Sequence, residues 1–115
     1  MRFVLDREAA VWLRDFIPDP DNFDWDKGNL TKNRKHGVQV EEIESLFYQE
    51  RFVFAGRIVE PAHDEWRGLV LGRSDLGRHL ALIFTRRGER LRPISCRPMR
   101  SGERRLYEAS VQEGA

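Results

Sequence analysis

The chain has 115 residues, 40% hydrophobic and 34% charged, with a formal net charge of +1. This composition excludes a disordered polymer and fits one domain with a single core. No apolar run reaches the ~18 residues of a membrane span, and the charge-studded "MRFVLDREAAVWLRDF" lacks the apolar stretch of a signal peptide. One cysteine, Cys96, excludes an intramolecular disulfide and fits a reducing compartment, so a cytoplasmic protein is expected.

In chain order, "DREAAVWLRDFI" (6–17) reads as a short helix capped by Asp6, with Ala10, Val11, Leu13, Phe16 and Ile17 on its apolar side. "PDPDN" (18–22) interrupts it, because each proline lacks a backbone donor. Residues 1–22 therefore read as an N-terminal extension, 23–110 as the main domain and 111–115 as a tail. Phe23 to Trp25 reads as a short strand. Asp26 then suits the N-cap of a helix that Gly37 ends in a left-handed turn. A further helix is expected over 39–48, where Val40, Ile43, Leu46 and Phe47 share a face.

Strands follow. Residues 51–60 read as one, bulged near Ala55 and Gly56, and 61–68 as a polar loop. Strands at 69–74 and 78–86 are joined by a tight turn at "DLG", and the nearly unbroken apolar run "HLALIFT" predicts an interior strand. "ERLRPISC" (89–96) is a strand with an irregularity or a free side at Pro93, which cannot donate to a ladder. Ser101 is the expected cap of a closing helix over 102–110. The order predicts an α+β fold: two N-terminal helices, an antiparallel sheet of about four strands and a C-terminal helix.

The small net charge hides a polarity. Residues 1–55 carry 8 Lys and Arg against 11 Asp and Glu, whereas 56–115 carry 12 against 8. Window 73–105 holds ten arginines, no lysine, and only Asp75, Glu89 and Glu103 in opposition. Guanidinium forks match phosphate or carboxylate and stay charged at neutral pH, so nucleic acid or an acidic protein is the implied partner.

Three segments, "FDWDKGNLTKNRKHGV" with "VEEIESLF", "GRSDLGRHLALIFTRRGERLRPISCRP", and "ERRLYE", together resemble the BrnT family of type II toxin–antitoxin toxins over about residues 23–109. The resemblance implies a RelE-like compact fold and a ribonuclease that inhibits translation. It also implies a BrnA-like antitoxin partner in a hetero-oligomer, with operator DNA bound only through that complex. Neither a cofactor nor a membrane is implied.

RNA supplies its own nucleophile, the 2′-hydroxyl, so cleavage without metal needs a proton acceptor, a proton donor and cations around the phosphorane. His36, His63 and His79 are far apart with no paired ligand spacing, and "HDE" (63–65) reads as a solvated loop, so no metal site is expected. Lys35 and His36 are the first candidates for proton handling. Neighbouring Arg34 and Lys35 favour a neutral imidazole, a helix C-terminus favours its cation, and the sign stays open. Arg73, Arg92 and Arg97 are the candidate phosphate ligands. Arg92 and Arg97 are an odd number of residues apart, so a regular strand would point them to opposite faces unless a bulge intervened near Pro93. Glu103 is a candidate base or arginine-orienting group, and it shares a helix face with Tyr107. Thr85, Arg90 and Tyr107 are expected RNA contacts, although Arg86, Arg87 and Arg90 also fit a solvated turn. Trp66 reads as closing the core edge and Cys96 as a small buried residue. The rival reading is a degenerate, non-catalytic module that binds RNA or an antitoxin.

Overall fold

The structure is a computed structural model that describes residues 1–48 and 52–113. Asp6 caps α1 (Arg7–Asp15) by accepting from the Ala9 N–H, and Asp26 caps α2 (Lys27–Arg34) in a reciprocal capping box with Asn29. Gly37 takes φ 68° and ends that turn before α3 (Val40–Tyr48). The sheet then runs β2 (Val53–Glu60), β3 (Gly68–Arg73), β4 (His79–Arg87) and β5 (Arg90–Pro98), and α4 (Ser101–Glu113) closes the fold. The start expected for β2 at residue 51 and the last two tail residues lie outside the described residues.

A fifth strand, β1 (Arg2–Val4), completes an antiparallel sheet of order β1-β2-β3-β4-β5. Its three residues are too short to carry an alternation pattern, and only pairing with β2 reveals them. The β2 bulge falls between Phe54 and Gly56, as the sequence predicts. Gly56, at φ 144°, lets the Val4 carbonyl approach where a Cβ would collide. Ser101, expected as a cap, is the first helical residue instead, and the Arg100 N–H donates to Glu103 Oε1. Phe23 forms an isolated parallel bridge with Leu91 rather than a strand.

Each sheet face has its own core. Leu80, Leu82 and Phe84 of β4 pack with Leu13 of α1 and with Ile43, Leu46 and Phe47 of α3. Leu69, Leu71 and Ala81 pack with Tyr107 of α4 on the opposite face. Residues 1–22 are tied into this body. Trp66 Nε1 donates to Asp6 Oδ2 at 2.9 Å, and the Arg86 guanidinium lies 4.7 Å from the centre of the Trp12 ring. Trp66 itself packs against Phe54 and Phe84, at the core edge where the sequence places it.

Two buried asparagines stitch α2 along β5. Asn29 Nδ2 donates to the Pro93 carbonyl, and Asn33 Oδ1 accepts from the Cys96 N–H at 2.7 Å. Helix and strand thus run in the same direction, and the end of α2 lies beside the end of β5. Asn33→Ala would leave a buried N–H without an acceptor. A loss of about 1–3 kcal/mol is expected in urea unfolding, and a loss below a few tenths would show that the stitch carries no weight.

Candidate active site

Register decides where the arginines point. Between Ile83 and Phe84 the β4–β5 ladder slips: Ile83 faces Ser95 but Phe84 faces Pro93, which leaves Ile94 without a partner. Leu91 and Cys96 consequently enter the same core despite their odd separation. Their neighbours Arg92 and Arg97 share the other face, opposite Thr85 and Ala81 respectively. Arg73 pairs with His79, two residues along from Ala81, and follows Leu69 and Leu71 onto that face. All three arginines therefore project from the sheet face that carries α4.

They divide between its two ends. Arg73 and Arg97 stand at the end holding the β3–β4 turn, together with Glu103 and Tyr107. Arg92, Arg90 and Thr85 stand at the β4–β5 hairpin end. Lys35 and His36 belong to the first end, because Asn33 binds Cys96 and Arg78 Nη2 donates to the Gly37 carbonyl at 3.0 Å. Both side chains are exposed.

At the first end a cleft of about 500 Å³ is lined by Arg73, Ser74, His79, Tyr107 and Glu108 among others. His79 is half-buried, its ring edge-on to Tyr107 at 5.6 Å. Burial lowers the His79 pKa below the usual 6.5, Arg104 and Arg73 lower it further, and Glu108 opposes them. The imidazole is therefore mostly neutral at neutral pH. In the sequence His79 stands out only as a possible metal ligand without paired spacing. Its actual neighbours come from β3 and α4, and no local spacing carries that information.

Arg97 and Glu103 form a two-pronged ion pair of 2.7 and 2.9 Å, with side chains only 16% and 10% exposed. Burial by itself would raise the Glu103 carboxyl, but hydrogen bonds from Arg97 and the Arg100 N–H hold it below the ordinary value. Glu103 is thus ionised and committed to orienting Arg97. Burial pushes the Cys96 thiol up to about 12, which leaves it a neutral core group.

At the hairpin end the expected RNA contacts have other work. Thr85 is buried, and its hydroxyl already donates to the Trp66 carbonyl at 2.6 Å. Arg90 donates to the Asp21 and Phe23 carbonyls and holds the chain ahead of α2. Arg92 pairs with Asp26 at 2.9 Å and with Asp24 at 3.6 Å. Among the described residues, no three His, Cys, Asp or Glu side chains cluster in a metal-holding arrangement.

The family model for BrnT, the ribonuclease toxin of type II toxin–antitoxin systems, matches residues 25–103. The chain belongs to the BrnT family. The matched segment contains Lys35, His36, Arg73, His79, Arg92, Arg97 and Glu103, and stops before Tyr107 and Glu108 on α4. A BrnT chain has an antitoxin as its partner by family. No curated protein matches the chain. Among the described residues of this BrnT chain, no helix is long and apolar enough to cross a membrane.

Proposed function

We propose that this BrnT chain is an endoribonuclease that cleaves RNA by metal-independent attack of the 2′-hydroxyl, with the cleft beside α4 as its active site. The observation that carries this reading is a half-buried histidine beside Arg73 in a cleft large enough for a nucleotide, its pKa lowered by burial and by the charges of Arg104 and Arg73. Neutral His79 takes the 2′-hydroxyl proton as the 2′-oxygen bonds to phosphorus. The bond to the 5′-oxygen breaks, and that oxygen takes a proton from Tyr107 in the same cleft. Arg73 in the cleft offsets the charge that builds on the phosphorane, while Arg97, held by Glu103, and Arg104, paired with Glu108 at 2.6 Å, add positive field from outside its lining. Lys35 and His36, exposed at this end of the sheet, contact the RNA strand rather than the reacting proton.

Cleavage of this kind inhibits translation. A BrnA-like antitoxin covers the arginine-rich end in a cytoplasmic hetero-oligomer, and operator DNA is met only through that complex. The test is end chemistry. RNA incubated with the chain should carry 2′,3′-cyclic phosphate and 5′-hydroxyl ends, at a rate unchanged by a chelator. Products with 5′-phosphate ends would overturn the mechanism, and uncut RNA would favour a binding module.

A further inference from the structure

The hairpin end carries a second cleft, about 240 Å³, between the start of α2, the loop ahead of β3, and β5. Lys32, Arg67, Arg87 and Arg92 border it over a floor of Pro93 and Ile94, with Glu65 as the one acidic wall. Some of this charge is answered. Arg87 pairs with Glu65 at 3.0 Å, and Arg92 with Asp26 and Asp24 behind it. Arg67 is not fully answered. Among the described residues its Nη1 meets the His63 ring at 3.5 Å, and its buried Nε has no hydrogen-bond acceptor. Among the described residues Arg67 has no carboxylate partner, so an anion seated in the cleft would supply an acceptor for its outer guanidinium N–H groups. The Asp26 carboxylate already caps the α2 amide N–H groups, so the helix terminus is not what makes this site.

The position suggests the anion. Arg92 stands opposite Thr85 and Arg97 opposite Ala81, four residues apart on β4, or ~13 Å at the strand rise of ~3.3 Å per residue. Between them Ile83, Ser95 and Ile94 are only half-buried, so the sheet face offers a partly open strip from Arg92 to Arg97, and His79 of the first cleft lies two residues beyond Ala81 on β4. We propose that the cleft bordered by Lys32, Arg67, Arg87 and Arg92 holds a backbone phosphate of single-stranded RNA, a few nucleotides from the link cut beside His79. The inference rests on the nuclease reading for its substrate and on separate residues for its site.

The test uses fluorescent single-stranded RNA whose riboses are all 2′-O-methyl, so that it binds without being cut. Anisotropy titrations over a range of salt compare the parent with the Arg67→Gln/Arg87→Gln double variant, and separately with Lys32→Gln on the exposed side of α2. Losing one phosphate contact should flatten the slope of log affinity against log salt by about 0.7. Affinity at low salt should fall about tenfold, whereas a dinucleotide confined to the first cleft should bind equally to all forms. An unchanged slope, or an equal loss on the dinucleotide, overturns the proposal. So does a loss seen only toward the antitoxin, which would mean the cleft takes a carboxylate. If the parent cuts no RNA but the slopes still differ, the phosphate site stands and the nuclease reading fails by itself.

Discussion

Replacing His79 with alanine is expected to slow RNA cleavage by about a hundred- to ten-thousandfold, the range lost with a general base. The pH profile makes the test specific. A base must be neutral to act, so the parent rate should fall as pH drops through the His79 pKa. Burial, Arg104 and Arg73 place that pKa below the usual 6.5. The profile should therefore be flat through neutral pH with its acid limb below 6.5, and His79→Ala should abolish the limb. Arg73→Gln removes one of the cations that disfavour the imidazolium, so the limb should move to higher pH. A merely structural role for Arg73 would lower the rate without moving it. His36→Ala should keep both the limb and most of the rate. Loss of the acid limb in His36→Ala, with its retention in His79→Ala, would transfer the base to the α2 turn.

The second large effect is on stability. Glu42, on α3, is only 2% exposed, accepts from Ser74 Oγ at 2.8 Å and from Arg78 Nε at 2.7 Å, and so anchors the β3–β4 turn to the helix layer. Ser45 on the same helix accepts from the Asp75 N–H, a second tie to that turn. Glu42→Ala leaves the buried Ser74 hydroxyl without its acceptor and Arg78 without its carboxylate. Breaking a fully buried pair costs about 3–5 kcal/mol, and because Arg78 can turn to water the expected loss here is about 2–3 kcal/mol in chemical unfolding. Cleavage should fall as well, because the loosened turn carries Arg73 and precedes His79.

Acid should mimic this variant. Hydrogen bonds from Arg78 lower the Glu42 pKa below its ordinary 4.5 more than burial raises it. The native state thus binds fewer protons here than the unfolded chain. The stabilisation is complete above about pH 4.5 and disappears as pH falls through the folded value. An unfolding midpoint that is the same for Glu42→Ala and the parent near pH 7 would show that the anchor contributes nothing.

Much of the architecture is legible in local chemistry. Asp6 and Asp26 announce helix starts, because a carboxylate capping free amide N–H groups needs only its own chain neighbours. Gly37 and Gly77 announce turns, since φ of 68° and 82° suits a residue without Cβ. The alternation and apolar content of 53–98 yield the four longer strands for the same reason. β1 escapes because three residues hold no period, and the role of 1–22 escapes because Leu13, Trp12 and Asp6 meet their partners across the fold. The placement of the candidate site's residues is only half legible. Arginine density and the resemblance lead to the expectation of a phosphate-binding face, but they do not show that Thr85 and Arg90 are engaged within the fold.

Sequence alone, then, determined the helices and the four longer strands in their order, the α+β class and the family, because caps, turn residues, apolar alternation and contiguous motifs are all properties of neighbours along the chain. Only the tertiary structure decided which charges meet. The slip opposite Ile94 turns Arg92 and Arg97 to one face, the β3–β4 pairing puts Arg73 beside His79, and α4 brings Tyr107 edge-on to the same imidazole. Those are contacts between distant segments, set by packing two cores against one sheet, and a histidine's proton affinity follows from them rather than from its place in the chain.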